Sequence, residues 1–306
     1  MRQSTQTQMI RMALAVALIF MATAPSGAAA RAQDPLKVFI SVDMEGIGGI
    51  GTSAMTGAGG KGYELGRQLM TEEVNTVAAA ILEHGPAEIL VNDSHGSMNN
   101  VLHTLLDPRV EYIQGNIKPL GMVQGLDDSF DAAIFLGYHA RARTAGGFLA
   151  HTGSGSVKGL WMNGVEVGEG GMNAYYAGSH GVPVIVAAGD LAFTEQFSEL
   201  VGSGTRTVAT KEAIGAQVAR LDHPEVVRVR LHDATLDALA NLSAISPLVP
   251  DEPIAVRMRF ATTTRADIVQ AVPDTRRVDG TTVEYTARNM TEGYMLVRLM
   301  YKYISW

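Results

Sequence analysis

Cysteine is absent from this 306-residue chain. Disulfides and thiolate chemistry are therefore excluded, and stability must come from a packed core or from association. Charge is scarce as well. Only 18% of the residues are Asp, Glu, Lys or Arg against 46% hydrophobic, which suits a globular protein with a sizeable core. The formal net charge of −7, without a basic cluster, argues against nucleic-acid binding, where phosphate contacts dominate affinity. No internal repeat is evident. A serine nucleophile is also excluded, because no G-x-S-x-G elbow follows a strand candidate and "TGSGSVKG" around Ser154 lacks that context.

The long apolar run that does occur lies near the N-terminus. Arg2 and Arg11 precede Met12–Ala24, and "PSGAAARAQD" follows. A basic start, a short apolar stretch and small residues at an A-x-A site predict a secretory signal peptide over residues 1–32, cut after Ala30 or Ala32. The run is shorter than the roughly 20 residues of a membrane span. The expectation is a soluble mature protein, periplasmic or secreted, with no membrane attachment after cleavage. Loss of Arg2 and Arg11 takes the formal charge from −7 to −9, and loss of Arg31 as well takes it to −10.

Beyond residue 32, apolar runs alternate with helical patterns. Leu36–Val42, Glu88–Val91, Ala132–Gly137 and Val182–Ala188 are continuous hydrophobic runs, as parallel strands covered on both faces require. Tyr63–His84 has helical spacing and ends at Gly85-Pro86; Gly168–Gly178 and Leu191–Leu200 also read as helices. Composition shifts near residues 202–206. The pattern then predicts a helix over Lys211–Arg220, a strand at "VVRVRL", a helix at "ATLDALANL", a strand at "PIAVRMRFA" and a helix over Asn289–Ile304. The predicted fold class is α/β: a largely parallel sheet with helices on both faces in a metal-binding domain over residues 33–200, plus a smaller mixed α/β part over 201–306.

In open α/β sheets, ligands collect beyond the carboxyl ends of the strands. The first strand of this chain runs into "SVDMEG", and side chains two apart on a strand share a side, so Asp43 and Glu45 should occupy one small volume. Bare carboxylates there would repel, and a cation would relieve them. The second strand ends in "VNDSHG" with His95, the third in "GYHARA" with His139, and the fourth in "AAGD" with Asp190. Asp93 and Asp190 read as caps of following helices, and Glu169 either caps its helix or joins the cluster. These O and N donors suit zinc. With Glu169 counted, they exceed one tetrahedral ion and suit two ions per chain bridged by a shared carboxylate. His151 lies on a Gly/Ser-rich loop, "AHTGSG", near the same rim.

The segments "SVDMEGIGG", "GYELGRQLMTEEVN", "VNDSHGSMNN", "GYHARA", "VGEGGMNAYYAG" and "GVPVIVAAGD" resemble the zinc-dependent D-aminopeptidase family of DppA-like metallopeptidases. The likeness runs in order through nearly the whole mature chain. It implies metal ligands at Asp43, Glu45, His95, His139 and Glu169, a catalytic histidine at His151, and removal of N-terminal D-amino acids from short peptides. It also implies a ring-shaped homodecamer. The loop "GTSAMTGAGGKGYE" and the stretch "GDLAFTEQF" depart from the family pattern, as does a signal peptide on a typically cytoplasmic enzyme. A metal-dependent amidase or esterase is the alternative, and a non-catalytic exported peptide- or zinc-binding protein a more distant one.

Overall fold

Two sheets organise the chain in the computed structural model, which describes residues 34–303. The signal peptide expected over residues 1–32 lies outside the described residues. Strand β1 (Leu36–Val42) pairs in parallel with β2 (Ala87–Asp93) on one side and β4 (Ala132–Tyr138) on the other. Strands β3 (Glu111–Ile113), β7 (Val184–Asp190), β8 (Arg206–Gly215) and β9 (Val218–Leu221) extend this sheet in the order β3-β2-β1-β4-β7-β8-β9. Every pair in it is parallel except β8–β9.

Strand alternation sorts the side chains to two cores. Val38, Ile40 and Val42 face helices α1 (Tyr63–His84) and α4 (Pro224–Ala240). Phe39, with Ala133 and Phe135 of β4, faces the other way, toward α2 (Glu169–Ser179) and α3 (Leu191–Val201). The second sheet packs into that same core. It has the order β11-β12-β10-β5-β6, formed by β5 (Val157–Met162), β6 (Val165–Glu166), β10 (Ile254–Phe260), β11 (Arg276–Arg277) and β12 (Thr282–Ala287), all antiparallel. Helices α5 (Thr263–Val269) and α6 (Met290–Tyr303) accompany it. No described helix is long and apolar enough to cross a membrane.

The α/β class and the parallel sheet with helices on both faces are as the sequence predicts. Three expectations need correction. Residues 211–220 form the β8–β9 hairpin instead of a helix, because the main sheet offers β7 as a parallel edge and Lys211 is drawn inward. "VVRVRL" is helical within α4: Pro224 sits in the first turn, the His223 side chain accepts the Glu225 amide, and Val227, Leu231, Thr235, Ala238 and Leu239 form the buried stripe. The boundary near residue 200 does not separate the sheets either. Residues 157–166 belong to the second sheet and 206–221 to the first, and the described residues from 35 onward form one compact unit.

Candidate metal centre

The site sits where the strand order reverses, between β1 and β4. Gly137 near the end of β4 has φ +70°, and its carbonyl accepts the amide of Gly46 at 2.7 Å. A Cβ at Gly137 would lie 2.1 Å from the Asp43 carbonyl, so only glycine lets the two strand ends come this close. Asp43 and Glu45 do share one volume, but through the turn that follows β1 and not through strand alternation. The strand ends at Val42, and the Ile47 amide closes the turn on Met44 O at 3.1 Å.

Five buried side chains meet there: Asp43, Glu45, His95, His139 and Glu169. Asp43 Oδ1 lies 3.0 Å from His95 Nδ1, and Asp43 Oδ2 lies 3.5 Å from His139 Nε2. Glu45 Oε2 is 3.0 Å from His95 Nδ1, and Glu169 Oε2 is 3.4 Å from His139 Nε2. His151 stacks on His139 with ring centroids 4.0 Å apart, and its Nε2 is 3.7 Å from Glu169 Oε1. Thus all six residues singled out in the sequence are brought together. All of them but His139, which lies behind His151, border a cavity of about 240 Å³ that Met98, Met122, Tyr301 and Lys302 also line.

The back nitrogens of the imidazoles reveal what the front ones do. His95 Nε2 meets the Thr56 carbonyl at 2.6 Å, His139 Nδ1 the Ala140 carbonyl at 3.0 Å, and His151 Nδ1 the Leu149 carbonyl at 3.0 Å. A carbonyl only accepts, so each of these nitrogens carries the proton. In each neutral ring the other nitrogen is then a lone pair aimed at a carboxylate. His139 Nε2 and Glu45 Oε2 are buried and have no hydrogen-bond partner. Lone pairs facing anions in a buried site require a cation, and imidazoles held from behind by carbonyls are the usual support of metal ligands. Three overlapping donor sets, Asp43–Glu45–His95, Asp43–His139–Glu169 and Glu45–His139–His151, each keep their ligand atoms within 4.8 Å.

Without a metal, protons answer the same demand. Burial and the Glu45 charge raise the Asp43 carboxyl to about 7. Burial alone would lower the imidazoles, but Glu169 brings His139 up to about 10, and Glu45 and Asp43 hold His95 well above its usual value. Against its own burial, Glu169 is pulled down to about 2 by His139.

The surroundings hold residues whose roles the sequence did not show. Asp93 caps no helix. It accepts the amides of Asn100 and Val101, the latter at 2.8 Å, and so shapes the loop that carries His95. Asp190 stands at the start of α3, yet its carboxylate accepts the amides of Ala140 at 2.9 Å and Phe148 at 3.2 Å, which fixes the loop after His139. Glu169 does not cap α2 either; its Oε1 accepts the Gly153 amide at 2.5 Å. Loop amides give these acids their roles, and spacing along the chain does not reveal them.

The family model described as D-aminopeptidase, peptidase family M55, matches residues 36–299. This chain belongs to that family. A D-aminopeptidase of Bacillus subtilis (strain 168) is 39% identical over 266 residues, which span 87% of this chain and 96% of that protein. A solved structure, the zinc-dependent D-aminopeptidase DppA from Bacillus subtilis, described as a self-compartmentalizing protease, superposes with a TM-score of 0.85. It is 38% identical and covers 87% of this chain and 97% of its own. The fold and the family inferred from the motifs are therefore established.

Proposed function

We propose that this member of the family is an exported binuclear zinc aminopeptidase that removes N-terminal D-amino acids, such as D-alanine, from short peptides. Family membership and the names of both relatives support a zinc-dependent D-aminopeptidase activity. The observation that carries the reading here is the set of imidazoles, each fixed from behind and each directing its free nitrogen at a buried carboxylate.

The residues divide naturally between two ions. Asp43 reaches His95 with one oxygen and His139 with the other, the disposition of a bridging ligand. Glu45 and His95 would hold one ion with it, and His139 and Glu169 the other. Zinc supplies Lewis-acid charge for activating water and polarising a carbonyl. His151 has a different part. It is about one-third exposed to the cavity, and with its Nδ1 proton committed to Leu149, its neutral Nε2 is a proton acceptor. Once protonated there, it becomes a donor to the departing amine. The third donor set offers His151 as a ligand instead, and its variant, discussed below, separates the two roles.

Residues 1–32 give the export expectation, the self-compartmentalizing relative supports assembly of several chains, and the ring of ten rests on the family resemblance alone. The deciding experiment purifies the mature protein, measures its zinc, and assays D-Ala and L-Ala dipeptides beside simple esters. About two zinc ions and D-dipeptide turnover support the proposal. Ester turnover without peptide cleavage overturns it.

A further inference from the structure

The turn that presents Glu45 is held by a buried lysine. Lys211 of β8 is 3% exposed, and its ammonium donates to the carbonyls of Glu45 at 2.5 Å, Ile47 at 2.8 Å and Ile50 at 2.8 Å. A lysine ammonium has three protons and no acceptor, so all of them are spent on this one turn. Its neighbour Thr210 donates its hydroxyl to the Gly46 carbonyl at 2.6 Å. From the opposite side, Glu73 of α1 accepts the Gly48 amide at 2.7 Å. Strand β8 and helix α1 thus grip the acceptors and a donor of the same short segment. The Phe148 ring, 5.0 Å from the ammonium, closes the pocket.

Convergent carbonyl dipoles repel one another unless a cation sits at their focus. The arrangement is that of a small monovalent-cation cage with a tethered ammonium inside it. Its significance lies in what Glu45 lacks. Beyond His95 Nδ1 at 3.0 Å, Glu45 Oε2 meets no donor, so its direction is otherwise fixed at the backbone. We propose that Lys211, assisted by Thr210 and Glu73, is the positioning residue of the metal centre: by caging the Glu45, Ile47 and Ile50 carbonyls it sets the direction in which Glu45 meets its metal. The inference rests on the two-metal reading of the cluster and assigns an asymmetry to it. The grip acts on the Glu45–His95 side, while His139 and Glu169 are placed by β4 and α2, which Lys211 does not hold.

The test is a zinc titration of the full mature protein against a competing chelator, which needs no turnover. The wild type is titrated first; fewer than two sites there would refute the two-metal reading and leave Lys211 with no such side to position. With two wild-type sites in hand, Lys211→Met is expected to weaken one site by about 10- to 100-fold, as loss of outer support typically does, and to spare the other. Lys211→Ala should regain affinity in ammonium or potassium chloride, and not in tetramethylammonium chloride at equal ionic strength, because only a small cation fits the cage. Thr210→Val should give a smaller loss at the same site, and this variant decides the matter if the lysine variants do not fold. Unchanged affinities in folded variants would overturn the proposal. So would equal weakening of both sites with a lowered melting temperature and no cation rescue, which describes a merely structural lysine.

Discussion

At the candidate metal centre, protons and the proposed zinc would compete for the same nitrogens, and the direction of that competition can be worked out residue by residue. In the metal-free protein His139 titrates at about 10, and His95 lies well above the ordinary value of about 6.5. Ion pairs made by such raised groups contribute fully below about pH 6.5, and their contribution is lost as pH rises through the folded-state values. Zinc held by these histidines would reverse the dependence, since only neutral imidazole binds it. The stabilisation that zinc adds should therefore grow from pH 6 to pH 9, seen as a widening gap between the melting temperatures of loaded and metal-free protein. Proton release should accompany zinc binding across that window, measured calorimetrically in two buffers of different ionisation enthalpy. A gap that narrows with pH would mean that the histidines are not the ligands. His151 should behave differently. His151→Ala is expected to retain two zinc ions and lose about 100- to 10,000-fold in turnover, the usual contribution of a general acid–base group, or about 3–5 kcal/mol of barrier. Loss of zinc from that variant would make His151 a ligand.

Elements tell where the sequence was legible. Asp43, Glu45, His95, His139 and Glu169 could be found because each follows a strand or opens a helix whose own pattern is strong, and the sheet brings those ends to one rim. Lys211, Glu73 and Asp190 could not, because their partners are backbone groups far away in sequence, and Asp93 could not, because its partners lie in an irregular loop seven and eight residues on. One of the two misread elements is α4. In "VVRVRL", Val227, Val229 and Leu231 alternate as a strand would, yet Val227 and Leu231 are also four apart as a helix requires. Periodicity over six residues cannot choose between these, and the His223-Pro224 start decides it. The structure leaves Leu231 buried and Val229 61% exposed, whereas a strand would bury both. Leu231→Ala should therefore cost about 2–5 kcal/mol, and Val229→Ala should stay within about 0.5 kcal/mol. Equal losses in denaturant titrations would count against the helix.

Over the whole molecule, the metal cavity and the apolar exterior meet at α6. Lys302 lines the cavity, and it also borders an adjoining hollow of about 420 Å³ formed by Ile117, Pro119, Met295 and Leu299. Ile117 is 74% exposed, Leu299 50% and Met295 48%. Large apolar side chains clustered beside an active-site mouth are costly in water and usually mark an interface. In the ring assembly proposed above, a second copy would be the occupant of this hollow. The mature protein should then sediment at about ten times the mass of one chain, as expected of the ring. Leu299→Glu would place a carboxylate in the contact, where an unpaired charge is strongly unfavourable, and should shift sedimentation toward small species. Zinc content should remain, because Leu299 does not line the metal cavity. Small species should also lose any size selection that an enclosed chamber imposes, so long peptides should gain on dipeptides as substrates. A ring that persists with glutamate at position 299 would place the contact on another face. A wild-type protein that sediments as a monomer would remove self-compartmentalization from this member of the family altogether.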